Sequence, residues 1–234
     1  FDNYFQTLIP MLLLACVFWL ISLLKKDVSI VDSLWSVFFI VGCFASYLQL
    51  DAPGLRAQIV MLLVIIWGLR LSLYITLRHW GHEEDHRYQQ IRKNNQPYFK
   101  LKSLYLIFIF QALLAWIISL PIFFAIHSTT EELGYLDWLG IVLWLTGMYF
   151  ETVADYQLWK FKRNRDNAGK IYTDGLWSYT RHPNYFGEFL IWWGYFSLSL
   201  AAGGVALLSV ISPLIMTFLL MKFSGVALLE KTMK

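Results

Sequence analysis

Charge and cysteine are scarce in this chain. Charged residues make up 15% of the 234, where a soluble domain carries about a quarter. That scarcity excludes an ordinary solvated surface, and a net charge of only +3 gives no basis for a nucleic-acid partner. The two cysteines, Cys16 and Cys43, both lie in apolar runs. They lack metal-site spacing, give no disulfide framework, and read as small buried hydrophobes. The glycine fingerprint of a Rossmann turn and the Walker A sequence are both missing, so any nucleotide must be held by loops and helix ends. No linker, repeat or low-complexity tract divides the chain, and residues 1–234 read as one domain.

Apolar sequence dominates instead: 58% of residues are hydrophobic, 18% are aromatic, and the mean hydropathy is +0.52. Long apolar runs recur along the whole length, which predicts an all-α, polytopic membrane bundle. About seven spans are expected, at residues 4–24, 28–50, 55–77, 103–127, 136–159, 184–202 and 205–223. The first run is long enough to span and does not read as a signal peptide, although Phe1 is not a native start and a preceding segment is expected. Basic residues gather at Lys25-Lys26, at "RHWGHEEDHRYQQIRKNNQPYFKLK" (78–102), at "KFKRNRDNAGKIYTDG" (160–175) and at the C-terminus. The alternate loops are poor in them. The positive-inside rule then puts the basic loops and the C-terminus in the cytoplasm and the N-terminus outside.

Ionisable residues inside spans are costly and by default mark function. Asp32 falls in the second run, Arg70 and Tyr74 in the third, Glu151 and Asp155 in the fifth, and Glu188 in the sixth. Each lies toward the cytoplasmic end of its run. Glu151 and Asp155 are four apart and share a helix face. The stretch "GLWSYTRHPNYFGEFLIWWG" (175–194) sets Arg181, His182, Asn184 and Tyr185 at the mouth of an apolar helix, with Pro183 suited to its first turn. Such a turn can hold a polar or anionic ligand at the membrane surface. Lys162 and Arg163 in the preceding basic loop suit phosphates, and Tyr172 and Tyr179 can stack on a base. Anionic lipid is the competing partner for the loop's charge. "HWGHEEDH" offers His79, His82 and His86 beside acids, but a chain with 5 histidines lacks the histidine boxes of a membrane di-iron enzyme, and no metal site is expected.

Asp155 to Glu188, with "VSIVDSLWS", "WGLRLSLYITLR", "EDHRYQQIR" and "GVALLEK", resembles the steroid 5-alpha-reductase superfamily, and more closely its bacterial DUF1295 branch. The resemblance implies an NADPH-dependent reductase of an activated C=C bond in an enone-like, lipophilic substrate, with a steroid-like one among the alternatives beside a polyprenoid or an unsaturated fatty chain. It implies an integral protein of the bacterial inner membrane, whose cofactor site faces the cytoplasm and which needs no obligate protein partner. Carried over residue by residue, Asp155, Lys162, Tyr172 and Asn184 fall at cofactor positions, with Asn184 on the nicotinamide amide and Glu188 in the Asn-x-x-Gly-Glu element. Where the steroid reductases carry Gln-Glu, this chain reads Val31-Asp32. Asp32, protonated by burial, or the phenol of Tyr74 would meet the oxygen where charge builds. Glu188 would order Asn184. A methyltransferase using S-adenosylmethionine shares the Arg-His-Pro-x-Tyr turn and is the main rival. A membrane scaffold or transporter is another.

Overall fold

The computed structural model describes residues 2–130 and 132–222. The end of the seventh expected span, the "GVALLEK" stretch and the C-terminal lysines lie outside the described residues. The described chain is helical and, among the described residues, contains no strand. Its contacts group it into two compact units, Phe1–His127 and Ser128–Lys234, each treated by itself below.

In the first unit, α1 (Asp2–Lys25), α2 (Ile30–Tyr47) and α3 (Leu55–His79) are the long helices. A short α4 (His86–Asn94) leads to α5 (Phe99–Ser103), a π-helical turn (Leu104–Ile109), α6 (Phe110–Ile118) and α7 (Leu120–Ile126). Helix α2 packs against α1, α3, α6 and α7. Its Phe38 and Phe39, with Met11, Trp67, Phe108 and Ile118, are fully buried. Phe39 meets Trp67 edge to face at 5.5 Å. Helices α2 and α3 approach closely because Gly68 has no side chain: a Cβ there would lie 2.8 Å from Ile40, and the Ser36 hydroxyl donates to the Gly68 carbonyl at 2.7 Å. The outward faces stay apolar, with Ile9, Leu13, Val17 and Leu20 exposed on α1 and Leu62, Leu69 and Leu73 on α3. Stripes of that length suit lipid rather than water.

The second unit is built on α8 (Tyr135–Arg163) and α9 (Pro183–Ser199), followed by α10 (Ile211–Lys222). The glycines Gly140 and Gly147 on α8 face Gly194 and Gly187 on α9. A Cβ on Gly147 would sit 2.5 Å from the Gly187 carbonyl oxygen, and one on Gly140 would sit 2.7 Å from that of Gly194. Backbones in such contact leave no room for a methyl group, and small residues commonly make membrane helix interfaces in this way.

Among the described residues, five helical segments are long and apolar enough to cross a membrane: Asp2–Lys25, Ile30–Tyr47, Leu55–His79, Phe99–Ile118 and Gly204–Lys222. The count of about seven expected from the sequence is therefore not reached on length and composition. Helix α9 has only 17 residues, about 25 Å of rise where about 30 Å of hydrocarbon must be crossed. Helix α8 is long, but buried Asp137, Glu151 and Asp155 lower its hydropathy. The expected 103–127 span also moves. Its helix begins earlier, at Phe99, and breaks at Ser119, after which Pro121 sits in the first turn of α7.

The glycine seam makes a direct prediction. Gly187→Ala should destabilise the protein by about 1–3 kcal/mol through overpacking, read as a lower thermal midpoint in detergent. Gly204→Ala, where nothing lies within 4 Å, should leave the midpoint nearly unchanged. Equal midpoints for both variants would show that the seam is not tight.

Candidate functional site

The seam brings polar residues together in the second unit. Glu151 is 3% exposed, Asp155 4% and Glu188 6%. The missing side chain of Gly187 admits Glu151, whose backbone nitrogen would lie 2.6 Å from a Cβ there. One turn along, the Asn184 amide nitrogen donates to Asp155 Oδ1 at 3.2 Å. Asn184 Oδ1 is buried and accepts no hydrogen bond within the described residues. Glu188 Oε1 accepts from the Trp192 indole at 3.0 Å, and Trp192 is fully buried.

The loop between the helices is tied back to α8. The Trp177 indole donates to the Ala154 carbonyl at 3.0 Å, and the Leu176 amide donates to Gln157 Oε1 at 3.1 Å. Gly175 takes φ +60°, and a Cβ there would lie 2.5 Å from Gln157 Nε2. These ties deliver the chain to the start of α9 beside Asp155. His182 stacks on Tyr185 with ring centroids 5.1 Å apart. Tyr172 leans on Phe161 at 4.8 Å, and the Arg163 guanidinium lies 5.2 Å above the Trp159 ring. Lys162 and Arg181 are exposed, and Tyr179 is 87% exposed. Asp155 and Asn184 are thus in direct contact, and Glu151 and Glu188 lie at the same seam, whereas no contact among the described ones joins Lys162, Arg163, Tyr172 or Tyr179 to them.

Asp32 and Tyr74 lie in the first unit. Asp32, in the first turn of α2, accepts from Arg87 Nη2 at 2.7 Å on one oxygen and from the Tyr88 hydroxyl on the other. Tyr74 lies under two cations, with the Arg70 and Arg78 guanidinium carbons 5.4 and 5.6 Å from its ring centroid.

Arg87 and Tyr88 were not expected at Asp32, because residues 78–102 read as a basic loop. They sit on α4, whose N-cap Asp85 accepts from the Arg87 amide at 2.9 Å. A second clamp holds the same helix: Glu84 binds Arg92 through both oxygens at 2.6 and 2.9 Å and accepts from the Val28 amide at 3.0 Å. The available signal was an aspartate cap followed by "HRYQQIRKN". Burial raises the Tyr88 phenol well above its ordinary value, and the Asp32 charge adds to the shift, so Tyr88 remains a donor. Burial alone would raise Asp85. Hydrogen bonds from Arg87 and its positive charge outweigh burial and hold Asp85 below its ordinary value. Among the described residues no group of histidine, cysteine and carboxylate side chains is arranged to hold a metal ion.

A helical bundle with lipid-suited faces and a buried carboxylate seam defines an all-α membrane protein. The chain belongs to the DUF1295 family, a family of unknown function whose model matches residues 18–234. It is 27% identical over 227 residues to an uncharacterized protein of Schizosaccharomyces pombe, covering 83% of this chain and 66% of that one. It is 38% identical over 68 residues to the human 3-oxo-5-alpha-steroid 4-dehydrogenase 1, covering 29% of this chain and 26% of the enzyme. It is 42% identical over 66 residues to a protein named as an O-methyltransferase in Ustilaginoidea virens, covering 28% of this chain and 22% of that one. The chain thus spans less than two thirds of each of these relatives. No solved structure matches it.

The α4 clamp should be acid-sensitive. A carboxylate whose folded pKa is depressed stabilises the fold above its unfolded pKa, and that stability is lost as pH falls through the folded value. Amide exchange in α4, corrected for its intrinsic pH dependence, should lose protection below about pH 4. Asp85→Asn should give weaker protection at neutral pH and a smaller acid-dependent change. A profile identical to the wild type would remove Asp85 from the clamp.

Proposed function

We propose that the protein is an NADPH-dependent membrane reductase of an activated C=C bond in a lipophilic, enone-like substrate. The observation that carries this reading is the Asn184–Asp155 pair. Asp155 takes the amide donor of Asn184 at 3.2 Å and so leaves a buried carbonyl oxygen to accept from a ligand. A primary carboxamide such as that of nicotinamide presents the matching donor. When bound, NADPH would supply a hydride to the β-carbon of the substrate and leave as NADP+, and a proton from water would complete the reduction at the α-carbon.

The chain's own residues do the rest. Asp155 orients Asn184, and Glu188, held by Trp192, secures the start of α9 beneath it. Glu151 keeps the seam polar where the ring would enter. Lys162, Arg163 and Arg181 meet phosphate charge, Tyr172 and Tyr179 offer stacking faces, and His182 and Tyr185 wall the turn. The oxygen of the enone needs a donor as negative charge builds on it. Tyr74 and Asp32 are the groups the sequence offers for that task. Asp32 orients the donors Arg87 and Tyr88. The preference for NADPH over NADH rests on the loop's basic residues, which suit an additional phosphate.

In this reading residues 1–234 act as one domain with seven spans. Helices α8 and α9 cross as a pair, their polar residues turned to each other, which is why composition alone misses them. The bacterial branch and the inner membrane, with the cofactor site and the basic loops toward the cytoplasm, complete the assignment. The partial likeness to steroid 4-dehydrogenases supports the reductase.

The likeness to a protein named as an O-methyltransferase supports a second reading, in which the Arg181–Tyr185 turn holds S-adenosylmethionine. Titration of the detergent-purified protein with each cofactor, followed by intrinsic fluorescence, separates the two. The reductase reading expects NADPH binding that weakens about tenfold or more in Asn184→Ala and Asp155→Ala, the loss of one to two hydrogen bonds. Binding of S-adenosylmethionine without NADPH would replace the reductase by the methyltransferase.

A further inference from the structure

A cavity of about 140 Å³ opens in the first unit, lined by Ser22, Leu23, Lys26, Val28, Arg92, Phe99, Lys100 and Ser103. It draws on the end of α1, the start of the Phe99–Ile118 span and one face of α4. One candidate span thus ends and another begins at this cavity, the level at which a membrane boundary is expected. Its inner wall is buried: Ser22, Val28, Phe99 and Ser103 are each at most 3% exposed.

The charge at the cavity is positive and partly uncommitted. Arg92 is neutralised by Glu84, but that bond uses Nε and Nη2, and Nη1 makes no hydrogen bond among the described residues. Lys26 and Lys100 form no ion pair among the described residues. The nearby Asp27 is occupied by the amide and hydroxyl of Ser29.

The backbone adds a second observation. Lys26 takes φ +58° and Tyr98 takes φ +69°, and these are the non-glycine residues with positive φ among the described residues. One lines the cavity and the other precedes Phe99, which does. Lys26 follows α1 at the position where helices commonly end in a left-handed glycine. A lysine there is strained, and strain of this kind gathers at ligand sites. Near the same ends of the two spans, outside the cavity lining, Leu20 and Leu24 on α1 and Leu101 and Tyr105 beyond Lys100 are all more than half exposed.

We propose that this cavity binds the phosphate of an anionic membrane phospholipid. Lys26 and Lys100 supply the counter-charge, Arg92 Nη1 supplies a directed donor, and the acyl chains lie along the exposed leucines of the two spans. A free phosphate ion would share the charged groups but gain nothing from those leucines. The site uses none of the proposed cofactor residues and does not depend on the proposed reaction.

The test is lipid binding to the full chain in detergent micelles doped with phosphatidylglycerol, phosphatidylcholine or neither, with inorganic phosphate as a separate arm. Native mass spectrometry counts bound lipid, and the thermal midpoint reports its effect. The wild type should prefer phosphatidylglycerol. Lys26→Gln/Lys100→Gln should reduce that preference about 10- to 30-fold, the effect expected of two lysines near an anionic headgroup. Lys100→Gln alone, at an exposed side chain, should give a smaller loss and guards against misfolding of the double variant. Lys93→Gln, on α4 but outside the cavity, should keep the preference. An equal loss in Lys93→Gln would show general surface attraction and overturn the site. So would inorganic phosphate displacing the lipid and stabilising the protein equally, since the ligand would then be a free anion.

Discussion

Backbone contact between α8 and α9 is the constraint on which the candidate site depends. Two glycines on each helix, seven residues apart, remove the side chains that would separate the axes. The helices can then close around Glu151, Asp155 and Glu188 rather than exposing them. A carboxylate facing lipid is costly, whereas one facing a partner helix is hydrogen-bonded and shielded. The Trp192 indole on Glu188 and the Asn184 amide on Asp155 show how the unit meets that need. The loop ties from Trp177 and Gln157 then bring the polar turn to the open end of the seam.

The first unit solves a similar problem by a different device. Asp32 begins an otherwise apolar helix, and a separate short helix docks on it with Arg87 and Tyr88. Glu84 and Arg92 clamp the other side of that helix to the chain before α2. A polar segment thus becomes an ordered cover at one end of a greasy bundle. The same clamp leaves Arg92 with a donor to spare, beside two lysines whose charges meet no partner among the described residues.

Much of this architecture was legible in the residues themselves. Apolar runs mark the long helices because burial or lipid is their only stable surrounding. The family resemblance put Asp155 and Asn184 each at a cofactor position, while their contact with one another is visible only in the structure. What the sequence concealed depends on pairing. The partners of Asp32 come from a stretch 55 and 56 residues away, and no local pattern links them. Helix α8 falls outside the spans marked by length and composition, and its Glu151 and Asp155 are buried, with Asp155 paired to Asn184 of α9. The break at Ser119 moves a span because Pro121 interrupts a run whose composition alone appears continuous. The cavity beside Lys26 is equally invisible in composition, where its lysines read as ordinary residues of basic loops.

The central claim is hydride transfer to carbon, and isotope tracing tests it most directly. The purified protein in lipid would be given NADPH deuterated at C4 on each face in turn, with a panel of enone lipids including a 4-en-3-one steroid. The account predicts deuterium on the β-carbon of a reduced product, from one face of the cofactor and lost in Asn184→Ala. No label in any product, with a methyl group delivered instead from S-adenosylmethionine to the same panel, would contradict it.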